Sequence, residues 1–296
     1  MNGLGANFRG GGVAVLAVLT AALAGCPVTQ SQDTPVSEFK RVEPTTGISY
    51  WLYVPSTYTS EEEWSLVVTL HGTYGFDDGR AQVKTWKALA EQHQFIVMGP
   101  QLKSTQGILP VIHGLRVKDL EDDEKGVLAA VADVKRQYPR IHDDDTLLTG
   151  FSAGGYPLYF IGLRNPRVFS SLVSMSANCD LRILKTIPIT DEVRGMPMLI
   201  YYGKTGVNPV YSHDNPVAQQ AWGAYRYLKE SHCREAKIRG IEGGHERRPD
   251  VAYEFWASRR EEMKKRWHEA SWNRSASQPA TRPGKKPASS VLSTMN

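Results

Sequence analysis

Cysteine is scarce in this chain. Cys26, Cys179 and Cys233 are the three in 296 residues, and no two stand at the spacing of a metal-ligand or redox pair. The segment "HERRPD" (245–250) offers a single histidine and no second one at ligand spacing. No glycine-rich phosphate loop follows a strand-like run, apart from one serine-bearing segment taken up below. No metal and no cofactor are therefore expected. Internal repeats are missing. Long apolar runs are missing too: "GGVAVLAVLTAALA" (11–24) is too short for a comfortable membrane span. Acidic residues are absent from 271–296, where Arg274, Arg282, Lys285 and Lys286 match the whole formal net charge of +4. The rest of the chain is close to neutral, so its charge marks no nucleic-acid surface.

What is present fits a globular domain. The chain is 41% hydrophobic and 22% charged, enough to build a core, and its length suits one α/β domain with short extensions. At the start, one positive charge, Arg9, precedes the short apolar run, which ends in "LAGC" (23–26). This is the layout of a signal peptide. The ending resembles the lipobox of bacterial lipoproteins, which implies cleavage after residue 25 and lipid attachment at Cys26. Two or more acyl chains anchor stably, where one binds only marginally. The expected organisation is a signal peptide over 1–25, a lipid-anchored tether over 26–44, one domain over 45–270 and a disordered basic tail over 271–296. The implied location is the bacterial cell envelope, with a membrane partner held through the lipid.

Between tether and tail, apolar runs alternate with helical periods. "ISYWLYVP" (48–55) alternates and ends at a proline, so it reads as an edge strand. "WSLVVTLHG" (64–72), "FIVMGPQ" (95–101) and "DTLLTGFS" (145–152) are apolar runs typical of strands buried on both faces. "SSLVSMSA" (170–177), "PMLIYYG" (197–203) and "AKIRGIEG" (236–243) read as further strands. Helical periods run over 80–94, where Val83, Trp86, Leu89 and Ala90 share a face, and over 120–138, where Val127, Leu128, Val131 and Val134 do. Others cover 154–165, 218–232 and 251–267. Residues 102–119 show no clear period and read as a surface excursion. Strands separated by helices predict a single doubly wound, mostly parallel sheet. Ligands of such sheets bind at the carboxyl ends of the strands. That rim carries Ser152, His71 and the end of "LIYYG".

Gly150-x-Ser152-x-Gly154 has the G-x-S-x-G pattern of a nucleophile elbow. The pattern alone is weak, but here it falls between a buried strand and a helix. The serine sits at a sharp turn, flanked by glycines where a Cβ would collide with backbone. The following helix N-terminus supplies free N–H groups. His245 is the best-placed base: it follows the last strand, on a glycine-softened loop before the final helix. The backbone N–H of Ala153 is expected to be one oxyanion donor. The other should come from "HGTYG" (71–75), with Thr73 ahead of Tyr74. His71 itself reads as a structural loop residue.

"YWLYVPSTY", "LVVTLHG", "GFSAGGYP" and "GGHERRPDVAYEFW", in this order, resemble the α/β-hydrolase superfamily over roughly residues 45–267. More narrowly they are similar to its poly(3-hydroxybutyrate) depolymerase / feruloyl esterase-like branch of secreted esterases. The resemblance implies a serine hydrolase acting on carboxylic esters, small or polymeric, through a Ser-His-Asp triad and an acyl-enzyme. The chain departs from the family at the acid. Relatives carry an aspartate within about three residues of the strand matching "LIYYG"; here Gly206 stands there. Counting back from the helix "AWGAY" gives Asp214, with 204–213 as an insertion. Asp180, after "SSLVSMSA", is the other candidate. The excursion 102–119 and the insertion could cap an acyl or aryl pocket, or their apolar residues could be ordinary core.

Two other readings stay open. A peptidase of the same fold is disfavoured by the lack of a long N-terminal propeller or cap. A degenerate, non-catalytic lipoprotein is favoured by the displaced aspartate and opposed by Ser152, His245 and the His-Gly element. Cys179 and Cys233 are expected at opposite ends of the sheet. A six-residue strand separates such ends by about 20 Å, whereas a disulfide needs Cα atoms within about 7 Å. Two free, buried thiols are expected.

Overall fold

The computed structural model describes residues 37–106, 113–205, 215–260 and 262. The leader with Cys26, most of the tether, part of the 102–119 excursion, Gly206–Asp214 and the tail lie outside the described residues. Eight strands form one sheet in the order β1-β2-β4-β3-β5-β6-β7-β8. They are β1 (Ser37–Val42), β2 (Ser49–Val54), β3 (Trp64–Leu70), β4 (Phe95–Pro100), β5 (Ile141–Phe151), β6 (Ser171–Met175), β7 (Met198–Gly203) and β8 (Ala236–Ile241). β1 and β2 pair antiparallel, as do β2 and β4; every other neighbour pair is parallel. The doubly wound, mostly parallel sheet expected from the sequence is the observed one.

The two faces of the sheet carry separate cores, because successive side chains of a strand point to opposite sides. From β3, Leu66, Val68 and Leu70 enter one core and Val67 the other. The first core is closed by α2 (His113–Gln137), α3 (Gly155–Arg164) and α6 (Pro216–Glu230), through residues such as Val127, Leu158 and Leu228. The second is closed by α1 (Gly79–His93) and a C-terminal helix over 249–260, here α7. Trp86 of α1 and Trp256 of α7 are both fully buried against Phe95, in edge-on pairs at 6.0 and 5.6 Å. Edge-to-face rings gain about 0.5–1.5 kcal/mol per pair beyond the area they bury. Two short helices, α4 (Leu181–Leu184) and α5 (Asp191–Gly195), lie in the stretch after β6.

Three sequence expectations change. The stretch read as tether contains β1, which pairs along its whole length with β2 from Ser37↔Val54 to Val42↔Ser49. It escaped notice because it is an edge strand: Lys40, Arg41 and Val42 are exposed, and charge on an edge guards it against further pairing. β2 is therefore an interior strand, and Pro55 lies just past its end. The 102–119 excursion is shorter than expected, since α2 begins at His113. Cys179 and Cys233 are buried free thiols, the first after β6 and the second before β8. Burial pushes the Cys179 thiol up to about 12, so it is no nucleophile at neutral pH. Among the described residues no helix is long and apolar enough to cross a membrane.

Candidate active site

β5 ends at Phe151 and α3 starts at Gly155, with a single 3-10 turn, Ser152–Gly154, between them. Ser152 bridges this junction with φ of 51°. A side-chain-bearing residue pays roughly 1–2 kcal/mol for that left-handed conformation. The glycines permit the turn by allowing close approach. A Cβ at Gly150 would lie 2.5 Å from the Gly154 carbonyl oxygen, and one at Gly154 would lie 2.5 Å from that of Leu70. Across the rim, Asn178 donates its N–H to the Ser152 carbonyl at 2.8 Å. Asn178 Nδ2 and the Cys179 N–H in turn reach Gln220 Oε1 on α6, at 3.2 and 2.8 Å. The elbow is thus gripped from both sides.

The loop after β3 comes up beside it. A Cβ at Gly72 would be 3.1 Å from the Ser152 Cβ. His71 is fully buried. Its Nε2 accepts from the Leu102 N–H at 3.0 Å, and Nδ1 lies 2.8 Å from the Gly72 carbonyl oxygen, which requires the Nδ1–H tautomer. Burial pushes its pKa below the ordinary value, so His71 is a neutral loop anchor. The carbonyl of Thr73 accepts from the N–H groups of Phe76 and Asp77 at 3.1 and 3.0 Å. The Tyr74 N–H is occupied by the Thr105 carbonyl at 3.1 Å, which removes Tyr74 as an oxyanion donor. Among the described residues no acceptor is found for the N–H of Thr73 or of Ala153.

His245 sits after β8, half-buried, with its ring 4.7 Å from the Phe151 ring, centroid to centroid. Burial pushes its pKa down, with no charged partner contributing among the described residues. Its loop is fixed to the end of β7. The Tyr201 hydroxyl accepts from the Arg248 N–H at 2.8 Å. The Thr205 N–H donates to the Gly243 carbonyl at 3.0 Å. A Cβ at Gly203 would collide with the Gly244 carbonyl.

Asp180 is engaged elsewhere. Its carboxylate caps α4 through the Arg182 N–H at 3.0 Å and forms a two-pronged pair with the Arg182 guanidinium at 3.0 and 2.7 Å. Asp214 lies outside the described residues. Its neighbour Asn215 does not: Nδ2 donates to the Gly203 carbonyl at 3.1 Å, while Oδ1 caps α6 by accepting from Ala218 N–H at 3.0 Å. Among the described residues no cluster of three or more potential metal ligands is found. A feature missed from the sequence is Asp77, almost fully buried, whose carboxylate ties this rim together; nothing near it in the chain announces that role.

The strand order, the antiparallel β2 and the serine at the strand-to-helix turn together define an α/β-hydrolase fold. No family model and no curated protein matches this chain. Solved structures do. A CE1 ferulic acid esterase from Anaeromyces mucronatus, in complex with ferulic acid, aligns with a TM-score of 0.54 at 13% identity over 71% of this chain and 84% of its own. Esterase PE8 aligns at 0.51 and 22% identity over 71% and 96%. An acylaminoacyl peptidase aligns at 0.50 and 14% over 71% and 37%. This chain spans 54% of a thermostable esterase that it also matches. At these identities the likeness is one of fold.

Proposed function

We propose that this chain is a serine esterase that hydrolyses carboxylic esters through an acyl-enzyme. The observation that carries the reading is the strained φ of 51° at Ser152, held at the strand-to-helix turn with the His245 ring packed on the preceding Phe151. Strain of this kind gathers where chemistry requires it. Ser152 Oγ attacks the ester carbonyl, His245 takes its proton, and the N–H groups of Thr73 and Ala153 hold the developing oxyanion. The alkoxide leaves with the proton returned by His245. Water then repeats the sequence on the acyl-enzyme and releases the acid.

Asp214 completes the triad in this reading. Support comes from its neighbours: Asn215 rests on the Gly203 carbonyl, and Gly203 abuts Gly244, the residue before His245. Asp180 is the poorer candidate because Arg182 already holds its carboxylate. We also propose that Cys26 carries a lipid anchor that keeps the enzyme at the bacterial envelope. The fold is shared by the ferulic acid esterase, esterase PE8 and the acylaminoacyl peptidase alike, so ester and amide substrates are separated by assay.

The test is a substrate panel with the full chain: short p-nitrophenyl esters, methyl ferulate, acetylated xylan and hydroxybutyrate oligomers. Turnover of at least one, with release of the free acid, is the expected result. No turnover of any would favour a non-catalytic binding role.

A further inference from the structure

Asp77 has a carboxylate with four donors and almost no exposure. Oδ2 accepts from the Gly72 N–H at 2.7 Å and from Gln82 Nε2 at 2.5 Å; Oδ1 accepts from the Asp78 N–H at 3.0 Å and from Arg247 Nη1 at 3.0 Å. Gln82 is itself fixed, since Thr69 of β3 donates its hydroxyl to Gln82 Oε1 at 3.0 Å. Arg247 comes from the other side of the rim. It lies two residues after His245, and its guanidinium passes over the Phe151 ring at 5.4 Å. The opposite end of this contact chain is the His245 ring, 4.7 Å from the same Phe151.

Three segments therefore meet at one ion pair. Gly72 precedes the proposed oxyanion donor Thr73. Phe151 precedes the proposed nucleophile Ser152. Arg247 follows the proposed base His245. None of the three is otherwise joined to the other two by a short stretch of chain: Asp77 and Arg247 are 170 residues apart. A buried carboxylate left without its guanidinium is costly, so the pair holds wherever the fold holds. The planar, forked guanidinium can bond Asp77 and cover an aromatic face at once, which a lysine ammonium does less well.

We propose that the Asp77–Arg247 pair is a positioning device that sets the base loop in register with the oxyanion loop. It rests on the serine-esterase reading, and Arg247 acts through His245 and Gly72 without touching the substrate. A shift of about 1 Å between catalytic groups can cost about 100-fold in rate. A positioning role thus predicts a loss in kcat with KM little changed.

The experiment compares wild type with Arg247→Ala, Arg247→Lys and Arg247→Gln, the last keeping a neutral donor toward Asp77 should the alanine variant fail to fold. Two readouts are taken: steady-state hydrolysis of a p-nitrophenyl ester, and hydrogen exchange of the backbone amides in 71–77. The expected result is a roughly 10–100-fold fall in kcat for Arg247→Ala, partial recovery in Arg247→Lys, and faster exchange in 71–77 that follows the same order. Unchanged kcat, or a rise in KM alone, would overturn the proposal, the latter by making Arg247 a substrate contact. Unchanged exchange in 71–77 would overturn it independently of any activity. If wild type itself turns over no ester, the esterase reading fails, and the exchange data still decide whether the two loops are coupled.

Discussion

The imidazole of His245 lies on the ring of Phe151, centroids 4.7 Å apart and planes 31° apart. Phe151 is the last residue of β5 and the one before Ser152. A residue in the middle of the loop between β8 and α7 is thereby seated beside one at the end of a strand in the middle of the sheet. The contact brings the loop that carries His245 to the C-terminal end of β5, where Ser152 follows.

The strain at Ser152 has a measurable consequence. Glycine adopts φ of 51° without a Cβ penalty, though it loses more freedom on folding. Ser152→Gly should therefore raise stability by about 0.5–1 kcal/mol, read as a higher urea midpoint, while abolishing ester hydrolysis. A lower midpoint would mean that the turn carries no strain that the serine side chain pays for.

The two candidate acids separate by rate. Asp214→Asn should lower kcat/KM by about 10⁴-fold, as when the imidazole is held in the wrong tautomer. Asp180→Asn keeps an N-cap for α4 and loses an exposed pair with Arg182, so it should leave the rate within a few-fold of wild type. The reverse order would assign the acid to Asp180.

How much of this was legible in the sequence differs from element to element. β3, β4 and β5 declared themselves as apolar runs, and the elbow declared itself by its two glycines and its place between a strand and a helix. β1 did not, because "SEFKRV" is an edge strand whose only large buried-type side chain before Val42 is Phe39, and its pairing partner is what defines it. The start of α2 at His113 was hidden by a stretch without a helical apolar period. The Asp77–Arg247 pair was illegible in principle: "GFDDGR" and "HERRPD" look like ordinary charged loops, and only the fold brings them within 3.0 Å. The assignment of His71 to the loop rather than to catalysis was legible from its neighbours, and its buried hydrogen bonds supply the reason.

Acid should weaken both fold and activity. Burial lowers the pKa of His71 and of His245, so between the lowered values and about 6.5 the unfolded chain binds more protons than the folded one. Stability from these groups is complete above about pH 6.5 and is lost as pH falls through the folded values. Urea midpoints should drop between pH 7.5 and 5, and His71→Gln should flatten the slope. Activity should rise with pH along a limb set by His245. In Asp214→Asn that limb should move to lower pH, since a facing carboxylate favours the charged imidazole; a limb that stays put or rises contradicts the triad assignment.

Anchoring is checked by fractionation. Wild type expressed with its leader should partition with membranes, and Cys26→Ser should appear as soluble or unprocessed protein. If the variant remains with membranes as a processed species, Cys26 is not the anchor.

Covalent labelling tests most directly whether Ser152 is an activated nucleophile. A fluorophosphonate probe reacts with a serine hydroxyl only where a base and an oxyanion site assist it. Mass spectrometry of the labelled full chain should locate one adduct on the peptide containing Ser152, and Ser152→Ala should carry none while unfolding at an unchanged urea midpoint. A wild-type chain that stays unlabelled, or an adduct that persists in folded Ser152→Ala, would contradict the account.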